Sequence, residues 1–306
     1  MFRKRMSTGT SATVADLLNE KYLRPQTILE DYLTVALNLR RCSLMTIPAE
    51  LPDADTISRG IDERCISDFT QLTQERDIKK RLKAVRSIKE KLRKTYLEEI
   101  KASPSYSSHI AWIKRLGVQM LEVEVRPTVR EHFIFKQKET KDRIENLTRK
   151  RLAFRGEFLK HVDQNTSRSL AAYPEERFPE YLTGIGELLG YPQCCITAYI
   201  EGREEGRLTA EQRAATQIAD LRSEGSEPDI YAYFSKDFIP CAPNCSGASA
   251  VGRKVHEMLS SVDDRLPGIY LQCLKGNVER VGSYVESIQA HKAKMEIRSR
   301  ELGIRQ

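Results

Sequence analysis

Apolar residues recur along this chain mainly at helical spacing. Val14, Leu17, Leu18, Tyr22 and Leu23 share one face of a 3.6-residue period, with Thr13 or Asp16 near the start, until Pro25 interrupts them. Ile28, Leu29, Tyr32, Leu33, Ala36 and Leu37 predict a second helix, and Pro48 and Pro52 mark a loop. The clearest pattern covers residues 75–101, where Ile78, Leu82, Val85, Leu92, Tyr96 and Ile100 form one stripe. Ser103-Pro104-Ser105 breaks that helix. The period then changes to two through residues 121–126, and Phe133-Ile134-Phe135 gives another β-prone run, so a small hairpin or sheet edge is predicted. Helical spacing returns over residues 139–161. Beyond a Pro- and Ser-bearing loop at 163–180, short helices are predicted at 181–189, 203–223 and 247–260. Residues 229–234 read as a strand, Pro267-Gly268 as a turn, and 269–274 and 278–301 as two closing helices.

The pattern predicts an α+β protein, predominantly helical, with a small β element. Its divisions are a disordered arm at 1–12, a helical region at 13–117 and an α+β domain at 118–306.

Cysteine placement adds chemistry to this frame. Gly190-Tyr191-Pro192-Gln193-Cys194-Cys195 is answered later by Pro240-Cys241-Ala242-Pro243-Asn244-Cys245, so four of seven cysteines fall in two short stretches. Pro192 suits a helix start, because its missing N–H needs no partner there. Cys194 and Cys195 then lie in a first turn, where free N–H groups and the dipole favour thiolate. Adjacent helical residues point about 100° apart, so both sulfurs reach one centre only if it sits over the helix end. Otherwise Cys195 turns inward as a small apolar residue.

Asn244 or Ser246 is placed to cap the next helix, and the small residues Gly247 to Gly252 permit close approach. Four converging thiolates at helix N-termini suit zinc or an iron–sulfur centre. A redox dithiol and plain buried cysteines are the competing readings. Tyr191, Asn244 and Ser246 are the nearest polar groups that would orient a substrate. Cys42, Cys65 and Cys273 lack a partner at metal spacing and read as core residues, and His109, His132, His161 and His291 likewise show no partner spacing.

Gly186 to Cys195, followed by Pro240-Cys241 and Cys245, resembles a prokaryotic family of unknown function. That family is marked by a Gly-Tyr-Pro-x-Cys-Cys signature and a later Pro-Cys-x-x-x-Cys signature. The resemblance covers about residues 130–260 and leaves out the first hundred or so. It implies a cytoplasmic prokaryotic protein distinguished by these cysteines, with no reaction attached.

Net charge sharpens the picture at one place. The chain carries +7, and residues 79–94 hold nine Lys and Arg, making the 75–101 helix the best local candidate for contact with RNA or DNA. The bland alternative is a solvated helix face, since no aromatic is interleaved for stacking on bases. No apolar run approaches the ~20 residues needed to span a bilayer, so no membrane contact is expected. In a cytoplasmic setting the thiols stay reduced, which favours a metal site over a structural disulfide. The functional expectation is a metalloprotein of unassigned reaction. A nucleic-acid-binding protein with a structural metal, or a thiol redox protein, are the alternatives.

Overall fold

The computed structural model describes residues 14–161, 173–204 and 209–301. The expected arm at 1–12 lies outside them, as do parts of the 163–180 loop and of the 203–223 helix.

After a helical turn at residues 14–18, Thr27–Leu33 forms a π-helix that continues as α-helical Thr34–Ala36, together α1. Strand β1 (Cys42–Ile47) follows. Two long helices, α2 (Ala54–Gln74) and α3 (Ile78–Ala102), then form a hairpin. Helix α4 (Pro104–Arg115) leads into β2 (Gln119–Arg126) and β3 (Val129–Phe135). The remaining helices are α5 (Lys138–Phe158), α6 (Pro179–Leu188), α7 (Gln193–Glu204), α8 (Ala210–Ser223), α9 (Ser246–Ser260), α10 (Leu266–Gly282) and α11 (Tyr284–Glu301).

The three strands form one antiparallel sheet in the order β1-β3-β2. Side chains alternate across a strand. Cys42, Phe133, Phe135 and Val123 therefore meet Ile144 of α5 and Leu188 of α6 on one face. Met45, Ile47 and Ile134 enter the largest core on the other face, with Leu29, Tyr32 and Trp112. β1 pairs with β3, Cys42 opposite Phe135, so the sheet draws on both segments that the sequence separated at residue 118. Covering on both faces explains why β1 escaped the period-two search: its burial is nearly continuous.

Several expectations need correction. Residues 229–234 do not form a strand; Ile230–Tyr233 is a 3₁₀ turn, begun by Asp229, whose carboxylate accepts the Tyr231 N–H at 3.0 Å. Helix α9 lies directly against it. A Cβ on Gly252 would stand 2.2 Å from the Tyr231 carbonyl oxygen, so only glycine permits that approach. Pro267 and Gly268 lie inside the first turn of α10, which runs unbroken to Gly282 and replaces the expected break near residue 275.

The hairpin differs most. Helix α2 was not anticipated, because only Ile57, Ile61 and Cys65 are buried along its 21 residues. In α3 the buried positions are Ile88, Thr95, Tyr96 and Ile100, whereas Ile78 is 75% and Leu82 61% exposed. The predicted stripe is core only in its second half. Between residues 66 and 87 no residue is buried, so the hairpin tip stands clear of the body.

Candidate metal centre

The first cysteine stretch sits at the corner between α6 and α7. Helix α6 ends with Gly190 at φ +76°, a left-handed conformation that favours glycine. The Tyr191 N–H donates to the Gly186 carbonyl at 2.9 Å and the Gly190 N–H to Glu187 at 3.2 Å. This double closure is a Schellman motif. Pro192 then launches α7, its carbonyl accepting the N–H groups of Cys195 at 2.9 Å and Ile196 at 3.1 Å. Cys194 and Cys195 fall in the first turn of α7.

The second stretch is a loop that ends at α9. Cys245 is the residue immediately before that helix, its carbonyl accepting the Ser249 N–H at 2.9 Å. The two helix starts abut: a Cβ added at Gly247 would stand 3.4 Å from Pro192 Cβ and 3.6 Å from the Cys194 sulfur.

These arrangements bring together the four cysteines singled out from sequence. The Sγ atoms of Cys194, Cys195, Cys241 and Cys245 all lie within 4.8 Å of one another and could hold a metal ion. Cys194 and Cys195 are 3.9 Å apart, Cys194 and Cys245 3.7 Å, and Cys195 and Cys245 3.6 Å. The centre lies over the end of α7, the one placement that lets adjacent cysteines converge. Cys195 and Cys245 are buried, Cys241 is half-buried and Cys194 is exposed.

The electrostatics depart from the expectation that both helix starts lower their thiols. Burial pushes Cys195 well up, although the Cys241 N–H donates to its sulfur at 3.5 Å. Burial also pushes Cys241 up to about 11. Cys245 is held below the ordinary thiol range. There burial opposes ionisation, but the Ala248 N–H and the neighbouring thiols outweigh it. At Cys195 and Cys241 desolvation outweighs the hydrogen bonds that favour ionisation.

Two of the groups expected to orient a substrate have structural partners. The Tyr191 ring packs on Phe238 at 4.7 Å, and Asn244 Oδ1 accepts the Asp229 N–H at 2.8 Å. Ser246 is exposed. Behind Cys195 lies a cavity of about 290 Å³ lined by Ile185, Tyr191, Ile196, Tyr199 and Phe238.

A buried ionic assembly anchors the loop that carries Cys241. Lys236 Nζ pairs with Asp31 at 2.6 Å and also with Glu50, while the Lys236 N–H donates to Glu30 at 2.5 Å. Asn277 donates to Glu30 at 3.0 Å, and Arg40 donates to the carbonyls of Glu30 at 3.1 Å and Leu189 at 2.9 Å. Arg40 thus ties the π-helical α1 to the α6–α7 corner. Burial pushes the Glu30 carboxyl up to about 7. The sequence signal for this assembly is the Glu30-Asp31 pair inside the apolar run from Ile28 to Leu33, which the helical reading passed over.

The fold also joins two histidines that looked isolated. Glu122 can only accept as a carboxylate, so His132 donates to it from Nε2 at 3.1 Å. His109 Nε2 and His132 Nδ1 share a hydrogen bond at 3.0 Å, and His109 Nδ1 shares one with the Tyr32 hydroxyl at 2.5 Å. Both rings are buried. Burial, together with His132 and Lys236, pushes His109 down to about 3.

Residues 124–266, 143 of the 306, match a family described as a protein of unknown function (DUF483). The chain resembles that family there. The matched span holds all four clustered cysteines and leaves out the α2–α3 hairpin. An uncharacterized protein of Methanocaldococcus jannaschii, MJ1106, is 30% identical over 88 residues, which are 28% of this chain and 44% of that relative. The chain therefore spans less than half the length of the curated relative it matches. No solved structure matches the chain. No helix among the described residues is long and apolar enough to cross a membrane.

Proposed function

We propose that this is a zinc protein in which Cys194, Cys195, Cys241 and Cys245 bind one ion as four thiolates. The observation that carries this reading is the spacing of the sulfurs. A tetrahedral ion with metal–sulfur bonds of about 2.3 Å has sulfur–sulfur edges of about 3.8 Å. Three of the pairs stand at 3.6–3.9 Å. An iron–sulfur cluster distributes its terminal thiolates over several irons and needs them farther apart than a shared ion does. Soft thiolate donors suit zinc, and a bound dication favours deprotonation of the thiols that burial holds up.

Four protein ligands close the coordination shell, which is the pattern of structural zinc and leaves no position for a substrate. In this reading the cysteines fasten the start of α7 to the Cys241 loop and the start of α9. Elemental analysis of the anaerobically purified chain tests it. One zinc per chain and no visible absorption is the expected result. A brown chromophore with several irons, or a metal-free protein that cycles between dithiol and disulfide, would overturn it.

A further inference from the structure

We propose that the α2–α3 hairpin is an arm that grips a nucleic-acid duplex through its phosphate backbone. Positive charge is concentrated on its second helix, while α2 and the connection between the two helices are acidic on balance. Helix α3 carries ten Lys and Arg against three Glu, a net +7 equal to that of the entire chain. All nine cations from Lys79 to Lys94 are exposed. Lys91 is neutralised by Asp68 at 2.5 Å and Arg93 by Glu124 at 2.7 Å. Lys79, Lys80, Arg81, Lys83, Arg86 and Lys89 have no carboxylate partner among the described residues. Five of these six, all but Lys89, lie on the half of α3 that leaves the body, beyond Ile88.

Clustering along one projecting helix is the electrostatic footprint that a net excess alone does not provide. A 25-residue helix is about 37 Å long, so its cations can follow a duplex edge that presents a charge every ~1.7 Å. Ile78 and Leu82 stand one turn apart at the tip, with Phe69 of α2, 42% exposed, on the neighbouring helix. Apolar side chains of this kind among cations fit contact with sugars and base steps in a groove. A membrane-surface helix needs a broad apolar face, and the projecting half of α3 exposes only these two large apolar residues among its cations. RNA and DNA share the phosphate chemistry and are separated by the test.

The test is fluorescence anisotropy of the full chain with labelled RNA and DNA duplexes of about 24 base pairs, between about 50 and 200 mM salt. Six phosphate contacts give a log–log salt slope of about −5 and an affinity loss of about 10³-fold over that range. Replacing Lys79, Lys80, Arg81 and Lys83 together by Ala reduces the slope by about four. Lys254→Ala with Lys275→Ala, on the body, leaves it unchanged. Leu82→Ser weakens binding and keeps the slope. Helicity and metal content of each variant show that its fold is intact. Three outcomes overturn the proposal: no binding to either duplex at the lowest salt, full binding by the four-site variant, or capture only by vesicles of roughly 30% phosphatidylserine or by an acidic protein.

Discussion

Cys195 is 3% exposed and Leu82 is 61% exposed, although local pattern singled out both. Around Cys195 the chain turns inward. A glycine closes α6, a proline opens α7, and the second motif brings α9 against them, so four sulfurs from two distant stretches share one point. Along α3 nothing turns back, and the helix carries its charge into solvent. The difference lies in what each signal depends on. Punctuating residues such as Gly190 and Pro192 dictate backbone geometry directly, and that geometry survives into the fold. An apolar stripe says only that something should cover it. In α3 the covering core runs out halfway, and Ile78 and Leu82 are left bare.

Substitutions that break or sharpen this contrast fall in order of size. Cys195→Ser should abolish stoichiometric metal and lower stability by several kcal/mol, because binding free energy at a structural site is folding free energy. Full metal occupancy in that variant, measured by elemental analysis, would remove Cys195 from the ligand set. Lys236→Met should cost about 3–5 kcal/mol in denaturant unfolding, since it leaves Asp31 and Glu50 buried without their cation. A cost near zero would show that the Cys241 loop is held by other contacts.

The pH response of the interior is smaller and has a definite sign. His109 is neutral when folded, with a pKa near 3 against 6.5 in the reference state. Below pH 6.5 the unfolded chain takes up a proton that the folded chain refuses. Stability is fully present above 6.5 and falls as pH drops towards 3, by up to about 1.4 kcal/mol per pH unit. Glu30 and Glu50, both pushed up to about 7, titrate with the opposite slope above 4.5. The difference between wild type and His109→Gln therefore isolates the histidine: unfolding curves across this range should converge as pH falls. Parallel curves would contradict the neutral assignment. Leu82→Ser at the hairpin tip should change stability least, within about 0.5 kcal/mol. A large loss would mean that the tip is packed against something in solution.

The sequence resolved helices and turns well where residues act locally. Asp77 accepts the Lys80 N–H at 2.9 Å and starts α3 at Ile78, the first residue of the apolar stripe and three residues after the predicted start at 75. Ser103-Pro104, read as a break, is a break that also begins α4. What stayed hidden depends on contacts across the chain. β1 is covered on both faces and lost its alternation, and α2 buries only a thin line of residues against α3. His109 and His132 meet only because α4 packs beside β3. At the candidate metal centre the cysteines were legible and their ionisation was not, because burial of Cys195 depends on Phe234, Phe238 and Ile218 arriving from elsewhere.

The central claim is that four sulfurs enclose one ion. X-ray absorption at the zinc edge of the intact, purified chain tests this most directly. The predicted spectrum is a single shell of four sulfurs at about 2.3 Å with no metal neighbour. A shell containing nitrogen or oxygen, or a metal–metal distance beyond it, would contradict the account.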